Sequence, residues 1–182
     1  MAYYYLIAQL PNLVYEQKPL MSSQDFLDLA KSMVTNSDFA LLNGLSLELR
    51  DKATGCKFID DWQEWERDLM LNLAKQRAIK LKRDLPATEP VYHMDIGAVT
   101  TKAMDEHSPL EGEILLDKAR WHAIEDLAGN DYFHRNSVFA YYLKLLLIER
   151  RMSFNVDKGF SEYKSLYASI VESEQESRGE DT

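Results

Sequence analysis

Glycine and proline are scarce, 7 and 5 among 182 residues. A β-sandwich or barrel needs many tight turns, and turns draw on those two residues for their backbone angles. The shortage argues against an all-β fold and for helices joined by a few short connections. Cysteine is scarcer still. Cys56 stands alone, which excludes an intrachain disulfide and fits a reducing cytoplasm. Long apolar runs are also missing. Tyr3 to Leu10 ends at Gln9 and Pro11, and Leu145 to Ile148 is hemmed in by Lys144, Glu149 and Arg150. A helix needs about 20 predominantly apolar residues to cross a bilayer, so no membrane span is expected. No charged-then-apolar leader opens the chain, which points to a cytoplasmic location.

Positive charge is in deficit. Lys and Arg number 21 against 30 Asp and Glu, a formal net charge of −9. Phosphate backbones repel such a chain unless its bases cluster. They cluster once, at Lys75, Arg77, Lys80, Lys82 and Arg83, where a helix C-terminus favours cations. No nucleic-acid partner is expected.

Motifs for chemistry are absent too. There is no G-x-S-x-G elbow, no Walker loop and no G-x-G-x-x-G. Cys56 lies beside Gly55 in a connection with no adjacent base. His93, His107, His122 and His134 never pair at the i, i+4 spacing that sets two ligands on one helical face. Asp131-x-x-His134 falls in a turn region, and His122-x-x-Glu125 reverses the order used by di-iron bundles. The expectation is no catalytic, cofactor-binding or metal-binding residue, no cofactor and no small-molecule substrate.

What is present is helical pattern. The chain is 46% hydrophobic and 28% charged, and at this length roughly 70% of the unfolded surface is buried on folding. Tyr3 to Leu10 fits a first helix or a buried strand, since periodicity alone cannot separate them. Ser22 and Asp25 stand at capping-box distance ahead of Phe26, Leu27, Ala30 and Met33. Asn36-Ser37-Asp38 opens a short helix, and Leu45 to Phe58 reads as a connection. From about Asp60 to Arg83 the acids come first and the bases last, as the helix dipole favours. Trp62, Trp65, Leu69 and Leu73 form its stripe.

Pro86 and Pro90 bound an irregular link. Beyond it, Gly97 to Glu106 suggests a short helix, and Ser108-Pro109-Leu110-Glu111 a capping box with proline at the first helical position. That helix should stop at Gly129-Asn130. Asn136 or Ser137 should cap the next, apolar on nearly every side through Met152. A last helix is expected over Phe160 to Glu172. The fold class is therefore all-α: a compact multi-helix bundle over residues 1–172, in one body or two lobes meeting near 84–96. Residues 173–182 form an acidic tail that should fray.

Charge also sits where burial is expected. Glu66 shares the face of Trp62, Leu69 and Leu73; Asp117 and Arg120 flank Trp121 and Ile124; Glu149 and Arg150 lie on the most apolar helix. A buried carboxylate costs several kcal/mol unless it is paired. Interhelical ion pairs are therefore predicted, joining Glu66, Asp117 or Glu149 to Arg77, Arg120 or Arg150. Such carboxylates serve either acid–base chemistry or a network that fixes helix register. With no lid or cofactor motif beside them, the network is the expectation. Ten tyrosines and three tryptophans supply core rings or interface rings; Tyr3, Tyr4, Trp62, Trp65, Trp121 and Tyr141 are the candidates.

Several strings carry a family resemblance. They are Tyr3-Tyr4-Tyr5-Leu6-Ile7-Ala8-Gln9-Leu10-Pro11-Asn12-Leu13, Trp62-Gln63-Glu64-Trp65-Glu66-Arg67, Leu116-Asp117-Lys118-Ala119-Arg120-Trp121 and Lys144-Leu145-Leu146-Leu147-Ile148-Glu149-Arg150. Together they resemble a bacterial family encoded among V-type ATPase subunit genes in spirochaetes and Bacteroides-like bacteria. The chain is also loosely similar to the helical socket subunit that joins the central stalk of V/A-type ATPases to the membrane rotor ring, though shorter. The resemblance implies a structural or accessory subunit with ATPase subunits of the central stalk or membrane rotor as partners. Such a subunit is held at the membrane only through the complex. It implies no site residues. Two other classes stay open, a regulatory helical binding module unrelated to the ATPase and a carboxylate-based enzyme.

Overall fold

A computed structural model describes residues 3–83 and 94–154. Seven α-helices and no strands occur among the described residues, 68% of which are helical. They are α1 (Tyr4–Gln9), α2 (Ser23–Ala30), α3 (Asn36–Asn43), α4 (Lys57–Lys80), α5 (Met94–Asp105), α6 (Pro109–Ala128) and α7 (Arg135–Ser153). Met1–Glu149 make one compact unit and Arg150–Thr182 another. Of the second, only the end of α7 and Phe154 are described. The expected helix over 160–172, the tail and most of the link at 84–96 lie outside the described residues.

Local chemistry explains most boundaries. Tyr3 to Leu10 becomes a helix of 6 residues rather than a strand, with Leu6 buried. Such a short helix is held by its surroundings: the Tyr3 backbone N–H donates to the Phe133 carbonyl, and the Tyr3 hydroxyl donates to Asp38. Ser22 and Asp25 form the expected capping box on α2. Thr35, one residue earlier than the sequence suggests, caps α3 by accepting from the Asp38 N–H.

The 24-residue α4 starts at Lys57, three residues before the expected Asp60. Its N-cap, Cys56, makes no side-chain bond. Asp60 in the first turn instead ties down the preceding loop, accepting from the Thr54 N–H at 2.7 Å and the Gly55 N–H at 3.0 Å. Gly55 is at φ 76°, in the left-handed region that glycine tolerates. These bonds hold the Asp60 carboxyl below the usual aspartate range. Ser108 does precede α6, but it makes no side-chain cap, so the predicted box with Glu111 does not form; Pro109 opens the helix.

The core gathers Trp62, Phe26, Phe139, Leu6, Ile124 and Leu143, all essentially inaccessible. Trp62 stacks on Trp65 at 5.8 Å between centroids, and Phe58 reaches Phe139 of α7 at 6.1 Å. Phe26 of α2 lies between the rings of Tyr141 and Tyr142, at 5.2 and 5.6 Å. Helices α4, α5 and α6 pack on one another. Thr100 donates to Asn72 across α5 and α4 at 2.7 Å.

Gly112 sets the α5–α6 spacing, because a Cβ there would lie 2.8 Å from the Ala103 carbonyl oxygen. Gly112→Ala would gain about 1 kcal/mol of helix propensity. The opposing atom is backbone, however, and overpacking typically costs about 1–3 kcal/mol. We expect a net loss of about 1 kcal/mol, read as a lower urea midpoint with an unchanged slope; an equal or higher midpoint would contradict the close approach.

Candidate functional site

Two places concentrate chemistry, one sealed and one open. The sealed one joins α4 to α6. Asp117 and Arg120 stand three residues apart on α6, so they share a face, and Glu66 meets them from α4. Arg120 Nε donates to Glu66 Oε2 at 2.9 Å and Nη2 to Glu66 Oε1 at 2.9 Å, a two-pronged pair; Nη1 donates to Asp117 Oδ1 at 3.0 Å. Glu113 Oε2 approaches Nη1 at 4.0 Å from the half-buried flank. Relative exposure is 1% for Glu66, 0% for Asp117 and 2% for Arg120. With both carboxylates engaged by one buried guanidinium, the arrangement ties α4 to α6.

The other members of the predicted network are elsewhere. Arg77 is exposed on α4 and makes no ion pair among the described residues. Its position puts it with the bases of the helix end rather than the core. Glu149 is half-buried, and its Oε1 accepts the Ser23 N–H at 2.6 Å. It serves as a negative charge at the N-terminus of α2, not as an arginine partner. Arg150 belongs to the second unit, where its carbonyl accepts from Ser153 Oγ at 2.6 Å.

The open place is a groove of about 620 Å³ between the exit of α1 and the corner joining α6 to α7. Leu10, Pro11, Leu13 and Ala140 give it apolar lining, while Glu125, Asp126 and Lys144 supply charge. Lys144 Nζ donates to Glu125 Oε1 at 2.6 Å and lies 4.6 Å from the centre of the Trp121 ring. Trp121 Nε1 donates to the same oxygen at 2.9 Å. Tyr141 donates to the Pro11 carbonyl at 3.0 Å, and burial pushes its phenol up to about 12.

Tyr132, 72% exposed, lines the groove; Phe133 beside it is 40% exposed and packs at 4.6 Å between centroids on Tyr4 of α1, itself 58% exposed. Tyr5, on the same helix, is 86% exposed. Of the six aromatic candidates, Tyr3, Trp62 and Trp65 are buried core. Trp121 and Tyr141 are half-buried beside the groove, and Tyr4 faces out. Sequence pattern does not single out Tyr132, Phe133 or the Lys144–Glu125 pair. The available signal is Tyr132-Phe133 standing in a turn after Gly129, outside any apolar stripe. Among the described residues no group of His, Cys, Asp and Glu converges as metal ligands would, and no helix is long and apolar enough to cross a membrane.

The family model described as a protein of unknown function (DUF2764) matches residues 98–174. That span holds Asp117, Arg120, Glu125 and Lys144, but neither Glu66 nor α1. No curated protein and no solved structure matches the chain.

Burial pushes Glu125 up, but hydrogen bonding and charge from Lys144, with help from Trp121 and His122, outweigh it and hold the carboxyl below its ordinary value. A carboxyl lowered in the fold contributes stability above its unfolded pKa, and that contribution is lost as pH falls through the folded value. In Lys144→Met, which keeps the stem on Trp121, Glu125 should titrate higher than in the parent. Its share of the acid-range stability loss should shrink. Carbon-13 carboxyl titration checks this; an unmoved Glu125 midpoint would contradict the pairing.

Proposed function

We propose that the chain is a non-catalytic structural or accessory subunit of a V-type ATPase, docking on central-stalk or membrane-rotor subunits and peripheral to the membrane through that complex. The observation that carries the non-catalytic part is the disposition of its reactive groups. Glu66 and Asp117, the carboxylates best placed to be a catalytic pair, are consumed by Arg120 inside the core. The groups turned outward are Tyr4, Tyr5, Tyr132 and Phe133. Protein interfaces favour aromatic rings at their centres, because a large rigid apolar surface is buried at small entropic cost.

The identity of the complex rests on the family resemblance, which the geometry accommodates: a helical body with paired internal charges transmits force without chemistry of its own. The same exposed rings also suit a regulatory binding module unrelated to the ATPase.

Affinity capture of the tagged chain from membranes of its own source, followed by mass spectrometry, tests the reading. Stoichiometric recovery of central-stalk or rotor subunits is the expected result. Recovery of the tagged chain without any ATPase subunit would contradict it.

A further inference from the structure

The groove has a charge and surface character that selects its occupant. Its one lysine, Lys144, is already committed to Glu125 and to the face of Trp121. The nearby arginine, Arg135, lies 3.7 Å from Asp38. By contrast, Asp126 in the groove wall and Asp131 in the corner are exposed acids in no ion pair among the described residues. The free charge at the rim is therefore negative, in a chain whose net charge is −9. Beside these acids stand the outward faces of Tyr132 and Phe133, with Tyr4 packed on the latter. Below them lies the apolar lining of Leu10, Pro11 and Leu13.

We propose that this groove binds a segment of a partner protein that carries apolar anchor side chains flanked by arginine or lysine. The apolar anchors would fill the 620 Å³ cleft and remove its lining from water. Guanidinium groups both stack on aromatic faces and pair with carboxylates, which a compact ammonium does less well. An arginine at the rim would therefore meet Tyr132 and Asp126 together. An acidic segment would face Asp126 and Asp131 and be repelled. This inference deepens the docking reading above and rests on it for the existence of a protein partner.

The test is a titration of the full chain with a short amphipathic Leu/Arg peptide and with its Leu/Glu counterpart, followed by calorimetry and backbone amide NMR. The Leu/Arg peptide should bind and shift the amides of Leu10, Asp126, Tyr132 and Tyr141, while the Leu/Glu peptide should not bind. Tyr132→Ser should weaken binding about fivefold, and Asp126→Lys about tenfold. Asp51→Lys, the same charge change in an exposed loop outside the groove, should alter binding by no more than about twofold. Equal binding of the two peptides would overturn the proposal, as would shifts confined to other surfaces or an Asp51→Lys effect as large as that of Asp126→Lys. The titration contains no ATPase subunit. A capture without those subunits therefore leaves the groove standing, and a failed titration leaves the subunit reading standing.

Discussion

The interaction on which the bundle depends is the guanidinium of Arg120 held between Glu66 and Asp117. Each of these ions costs several kcal/mol to strip of water, and all three are essentially inaccessible. That cost is tolerable only where the partners stay in bonding range. Helices α4 and α6 therefore cannot slide by a residue without stranding a buried charge. The close approach of α5 to α6 at Gly112 fixes a second spacing on the same helix. Together they give a bundle of mostly nonspecific apolar surfaces a defined register.

The consequence for function is a division of labour between inside and outside. Inside, acid and base are spent on each other and the large rings pack: Trp62 on Trp65, Phe26 between Tyr141 and Tyr142. Outside, the corner where α1 meets the α6–α7 turn carries exposed rings beside a cleft whose wall holds Asp126, an exposed acid in no ion pair among the described residues. That corner is tied together by the Tyr3 N–H bond to Phe133 and the Tyr141 hydroxyl bond to Pro11. The surface is thus presented on a braced support rather than a loose loop, as suits a docking site.

Helices that announce themselves by dipole order and apolar stripe are readable from the sequence, and α4 is the clearest case. Its start lies earlier than the pattern suggests because Asp60 reaches back across Gly55 instead of standing at the cap. The Asp117–Arg120 partnership is legible because it is local, three residues apart on one helix. Which distant acid joins it is not legible. Glu66, Glu149, Arg77 and Arg150 look equivalent in pattern, and interhelical register decides among them. The rings of Tyr132 and Phe133 escape a pattern search because turn residues obey no period, so their exposure is a tertiary fact. Tyr3 to Leu10 is ambiguous for a similar reason: a six-residue helix owes its conformation to tertiary bonds, not to propensity.

The central claim, that Glu66 and Arg120 neutralise each other within the core, is tested most directly by a double-mutant cycle. The cycle compares the unfolding free energies of Glu66→Gln, Arg120→Gln and the double variant against the parent chain. For a desolvated, two-pronged pair the coupling energy should be at least about 2 kcal/mol, with the double variant less destabilised than the two singles together. Additivity within about 0.5 kcal/mol would mean that the charges do not depend on each other, and the account of what holds α4 to α6 would fail.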